Sequence, residues 1–130
     1  MNKILSFLKL IFYISVIFLI ILSLFPGSLI GLWVYGDLGK QPNLINNPYG
    51  TTINHFIYYL YVSLLGFVLY LKSNKIQKIF YVLIFLSLLL EILQYFVPNR
   101  AFQFEDMSAN FLGVLVAYSA VKIYLFFNKI

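Results

Sequence analysis

From Leu10 to Phe25 the chain is apolar except at Ser15 and Ser23, and beyond Pro26 the pattern continues through Leu29, Ile30, Leu32 and Trp33. The run predicts a first helix over about 10–33, with Pro26 and Gly27 either ending it or kinking its outer part. It exceeds the roughly 7 to 15 apolar residues of a secretory signal, and no Ala-x-Ala follows, so it is expected to remain as a span. Between Tyr35 and Thr52 the breakers Gly36, Gly39, Pro42, Asn47, Pro48 and Gly50 make a loop. Three further apolar runs, at about 55–71, 79–97 and 107–127, approach the roughly 20 residues that cross a hydrocarbon layer about 30 Å thick. Lipid leaves no backbone group unpaired, and these runs are too long and too continuously apolar for alternating barrel strands. The expected fold is all-α, an integral membrane four-helix bundle forming one domain over residues 1–130.

Composition agrees. With 62% hydrophobic and 10% charged residues in 130, the chain lacks the charge to coat a water-facing surface, which excludes a soluble enzyme. The absence of cysteine excludes disulfide frameworks, Cys-ligated zinc and thiol nucleophiles. The net charge of +5 is scattered among apolar segments, so it reads as a topology signal and no nucleic-acid partner is expected. Lys3, Lys9, Lys72, Lys75, Lys78, Lys122 and Lys129 fall on one side of a four-span arrangement, and Lys40 and Arg100 on the other. The positive-inside rule then places both termini in the cytoplasm of a multi-pass cell-membrane protein. Lys122 lies within the last span by counting, with a stem long enough to carry its ammonium to the inner headgroups.

Polar residues inside the spans carry the candidate chemistry, because an acid at a helix centre costs about 2.5–3.5 kcal/mol on insertion scales. At 100° per residue, Ser87, Glu91, Gln94, Tyr95 and Pro98 share one face of the third helix. Asp106, Asn110, Gly113, Ala117 and Ala120 share a stripe on the fourth that lets another backbone come close. His55, Tyr59, Val62 and Gly66 share a face of the second. At 1.5 Å per residue Glu91 lies about 10 Å below Pro98, and Asn110 about 6 Å below Asp106. His55, Glu91, Gln94, Arg100, Asp106 and Asn110 are therefore expected to meet in the outer leaflet, facing the extracytoplasmic side.

Three readings of this cluster stand side by side, and for the whole chain a purely structural partner subunit is a further alternative. One is a polar staple, with Arg100 neutralising Asp106 or Glu91 and the amides of Gln94 and Asn110 tying helices together. The second is a pocket for a polar or anionic cell-envelope group, held by the two-pronged geometry of Arg100, the partner being a membrane lipid or a lipid-linked envelope precursor. The third is an enzyme in which His55 or Glu91 transfers protons on such an intermediate. No metal or other cofactor is expected, since the chain has one histidine, no cysteine and no paired ligand spacing. A Ser108–His55–Asp106 hydrolase lacks the strand-turn-helix elbow around its serine. Trp33, Tyr35, Tyr58, Tyr59, Phe102 and Phe104 are expected to form an interfacial belt.

Taken in order, these residues resemble the VanZ-like family of small bacterial membrane proteins, named for a teicoplanin-resistance protein. The resemblance runs from Ser23 to about Ala117. Ser23-Leu24 and Pro26-Gly27 end the first span, His55-Phe56 opens the second, and Glu91 and Gln94 mark the third. Pro98 and Arg100 follow in the outer turn, then Asp106, Asn110 and Gly113. The family commonly carries an Asp-Lys pair before the His-Phe, where this chain has Thr51 and Thr52, and a further glycine where it has Ala117. The resemblance implies a membrane protein linked to glycopeptide (teicoplanin-type) antibiotic resistance, and it implies no particular reaction.

Overall fold

Every apolar run becomes a helix in the computed structural model, which describes residues 2–128. The elements are α1 (Asn2–Leu24), α2 (Leu29–Tyr35), α3 (Thr52–Leu69), α4 (Ile76–Gln94) and α5 (Phe104–Phe127), with no strand among the described residues. Four of the five, all but α2, are long and apolar enough to cross a membrane. Phe7, Ile17, Tyr81, Phe85 and Ile123 remain exposed on their outer faces. Hydrocarbon is the solvent in which such an exterior carries no penalty.

The expected 10–33 helix is two helices. The α1 ladder stops at Leu24, where Pro26 has no N–H to continue it and Gly27 adopts φ 90°. Ser28 then caps α2, its Oγ accepting the Gly31 N–H at 2.9 Å, and Gly36 ends α2 in the left-handed region at φ 68°. In one straight helix Phe18 and Trp33 would lie about 22 Å apart along the axis. Instead their rings stack with centroids 5.9 Å apart and planes 9° apart, so α2 doubles back alongside α1. The following loop is pressed onto α2: a side chain at Gly31 would run into the Lys40 carbonyl.

Packing centres on α3 and α5, which share the most extensive interface, while α4 lies against both and α1 against α3 and α4. The small stripe on α5 explains the closeness. A Cβ at Gly113 would lie 2.7 Å from the Phe56 carbonyl oxygen and 3.0 Å from the Leu60 nitrogen. Val114 and Ala117 are fully buried, whereas Ala120 is exposed and leaves the stripe. On α3, Tyr59, Val62 and Gly66 are buried as their shared face requires, and the Phe12 ring of α1 fills the space a side chain at Gly66 would need.

Three expectations change at the edges. Because α4 ends at Gln94 and continues in tight turns, Tyr95 leaves the polar face and is 73% exposed. Tyr59 belongs to the core rather than to an interfacial belt, and Tyr58 donates to the Ser15 carbonyl at 3.1 Å. The Lys122 ammonium sits over the Tyr118 ring, 5.4 Å from its centroid, one turn back along α5. Lys129, counted among the bases of one side, lies outside the described residues.

Candidate functional site

A chain of polar contacts crosses three helices at the end of the bundle that carries the 98–103 turn. Thr52 Oγ1 on α3 donates to Asp106 Oδ1 at 2.7 Å, and Asp106 Oδ2 lies 3.4 Å from His55 Nε2. His55 Nδ1 lies 3.1 Å from Asn110 Oδ1, and Asn110 Nδ2 donates to Glu91 Oε2 of α4 at 3.4 Å. The other Glu91 oxygen, Oε1, accepts the Gln103 N–H at 3.2 Å, just ahead of α5. Helical spacing makes this possible: Thr52 and His55 are three apart on α3, and Asp106 and Asn110 four apart on α5. Glu91, Asp106 and Asn110 are all buried. Asp106 is also placed in the first turn of α5, where a negative charge complements the helix dipole.

Arg100 does something else. Its N–H bonds back to the Val97 carbonyl at 3.2 Å, and Asn99 between them has φ 60°. Pro98 followed by a left-handed Asn is the pattern of a type II turn, and it delivers Arg100 toward α1. Nε donates to the Phe25 carbonyl at 3.0 Å, and Nη2 donates to the Leu22 carbonyl. Both acceptors are unpaired carbonyls at the C-terminal end of α1, where a cation is favoured. No carboxylate among the described residues comes within ion-pair distance of this guanidinium. The expected Arg100–Glu91 or Arg100–Asp106 pair is therefore absent, because both acids are already engaged with α3 and α5. Burial pushes the Arg100 pKa down from its usual value, an effect that the more distant Glu91 and Asp106 carboxylates offset only in part.

Two cavities adjoin Arg100. One, of about 90 Å³, lies between the C-terminal part of α1, the start of α2 and the start of α3, with His55, Tyr59, Gln94 and Arg100 among its lining. The other, of about 380 Å³, is bounded by the loop segments at 27–28, 38–41 and 99–100. Ser28, Gln41 and Arg100 line both. Tyr59 is 2% exposed, and its buried hydroxyl has no hydrogen-bond partner among the described residues.

Across residues 7–127, nearly the whole length, the chain matches the family model VanZ/LLP1. It belongs to the VanZ/LLP1 family. No curated protein and no solved structure matches it.

In this VanZ/LLP1 chain the six residues expected to meet divide into two groups. Glu91, Asp106 and Asn110 form the buried network, Gln94 and Arg100 face the cavity, and His55 belongs to both. Thr52, at the place of the family's charge pair, supplies a donor to Asp106. Sequence reasoning missed Ser28, Gln41, Asn54 and Tyr59 as lining residues. Asn54 pins the loop over the cavity, accepting the Leu44 N–H at 2.9 Å and donating to the Pro42 carbonyl at 2.7 Å. The available signal was an asparagine one residue before His55, opposite a loop full of unpaired backbone groups.

Proposed function

We propose that this VanZ/LLP1 protein is a multi-pass cell-membrane protein, both termini cytoplasmic, whose outer-leaflet pocket binds an anionic group of the cell envelope. The observation that carries the reading is Arg100: a partly buried guanidinium held by two backbone carbonyls, with no acid among the described residues in contact and two cavities that it lines. A buried charge is stable when something opposite in sign approaches it, and here that group comes from a ligand. Guanidinium carries five N–H donors, and two are spent on α1, so the Nη1–Nη2 edge is free to grip a phosphate or carboxylate in two-pronged fashion. Gln94, 4% exposed, adds an amide beside it. Orientation rests on the bases: Lys3, Lys9, Lys72, Lys75, Lys78 and Lys122 lie away from the Arg100 end.

The acid/base alternative has less support. Glu91 is fully buried and lines neither cavity, and both ring nitrogens of His55 already face partners within the protein. The link to teicoplanin-type resistance rests on the family resemblance. The test is to express the protein in a susceptible bacterium and compare Arg100→Gln and Gln94→Leu with the unmodified chain, each normalised to membrane abundance. Loss of the susceptibility phenotype at equal abundance supports the pocket, and an unchanged phenotype in both variants rejects it.

A further inference from the structure

The two cavities meeting at Arg100 differ in character, and the difference restricts what can fill them together. The smaller one reaches down to Leu19, five residues before the end of α1 and so about 7.5 Å deeper along the axis. On the α1 and α2 side its walls are Leu19, Leu22, Leu29 and Ile30, relieved only by serines. The neighbouring α2 turns Leu32, Trp33 and Val34 outward, and these remain exposed, so this side of the cavity stands in hydrocarbon. The larger cavity is built from loop residues, with Gly39, Gln41 and Asn99 around it, and is suited to a polar, hydrated group. Arg100 and Ser28 line both and form the junction.

Resting on the anion-binding reading, we infer that the ligand is a lipid phosphodiester: the phosphate on Arg100, the hydrocarbon against Leu19, Leu22 and Leu29, and a polar head in the loop cavity. A soluble anion would leave the apolar walls unused. A neutral lipid would leave Arg100 without a counter-charge. Joined on one molecule, each part raises the effective concentration of the other at its subsite, so the whole binds more tightly than either half. The buried Tyr59 hydroxyl, unpartnered and on the cavity wall, supplies a donor for an ester or phosphate oxygen.

The experiment uses the full chain in a non-ionic detergent, titrated with dioctanoyl phosphatidylglycerol, glycerol phosphate and dioctanoylglycerol, with affinity read by calorimetry. The phosphodiester lipid is expected to bind at least about tenfold more tightly than either fragment, a difference of about 1.4 kcal/mol. Leu29→Trp, which fills the hydrocarbon side, should weaken the lipid about fivefold or more and leave glycerol phosphate unchanged. Gln94→Leu and Arg100→Gln should weaken both phosphates, and circular dichroism checks that each variant remains helical; Gln94→Leu carries the test if Arg100→Gln unfolds. Equal affinity for glycerol phosphate and the lipid, with Leu29→Trp silent, overturns the lipid inference and leaves the anion site standing. If neither phosphate responds to Gln94→Leu or Arg100→Gln, or none of the three binds, both readings fall.

Discussion

His55 offers both of its ring nitrogens to acceptors on the same neighbouring helix, Nε2 to Asp106 at 3.4 Å and Nδ1 to Asn110 at 3.1 Å. Because Asn110 Nδ2 donates to Glu91, its Oδ1 is left to accept, and His55 Nδ1 must carry a proton. Two acceptors therefore flank the ring, and the Asp106 contact is an ion pair only when the ring carries a second proton. Asp106→Asn supplies that proton from an amide and should keep the bundle within about 1 kcal/mol, with the ring neutral. Asp106→Leu strands Thr52 and His55 and should cost about 1–3 kcal/mol. Thermal unfolding in detergent reads the stability, and nitrogen-15 spectra of the single histidine read its protons.

Glu91→Gln is not a neutral replacement here. Both carboxylate oxygens accept, one from the Gln103 N–H and one from Asn110. A glutamine amide turns one acceptor into a donor and sets it against another N–H. The expected loss is about 1–3 kcal/mol, visible as a lower unfolding temperature. Equal stability would show that one of the two contacts is dispensable.

Arg100→Ala removes two charge-assisted hydrogen bonds from the C-terminal end of α1. At about 1.5–3 kcal/mol each before relaxation, the loss should fray the last turn of α1. Hydrogen exchange should rise around Leu22 to Phe25 while α5 amides near Gly113 keep their protection. Lysine at 100 restores the charge and not the fork, so it should recover only part of the protection.

At Gly113 the limit is space. Alanine there meets the Phe56 carbonyl oxygen at 2.7 Å, so α3 and α5 must part. Overpacking of this kind costs about 1–3 kcal/mol. Asn110 lies one turn away on α5, so Gly113→Ala should also disturb the nitrogen-15 signals of His55. An unchanged His55 spectrum would mean that the network tolerates the separation.

Trp33 reports on the fold of α2. Were it carried outward on a straight continuation of α1, it would stand about 12 Å beyond Phe25, in headgroups or water. Its stacking on Phe18 places it in the bilayer instead. As the single tryptophan, it should be quenched more by lipids brominated along the chain than by aqueous acrylamide. Single cysteines at Asn46, Ser73 and Gln103 then give the orientation, with an impermeant reagent expected to label the first and third.

The four apolar runs and the polar faces of α3, α4 and α5 were legible in the sequence. Unbroken apolar length has only one answer in lipid, and a 100° period tells which polar residues share a face. It therefore announced His55, Glu91, Asp106 and Asn110 as neighbours, and Gly113 as the point of close approach. Partner choice was left to tertiary structure, because residues sharing a depth still compete for one another. Periodicity gives the face and depth of Arg100's surroundings but not the position of the unpaired carbonyls of α1, which attract it away from both acids. The same holds for α2: Pro26 and Gly27 announce a break, and only the packing of Trp33 on Phe18 decides that the chain turns back and walls a cavity.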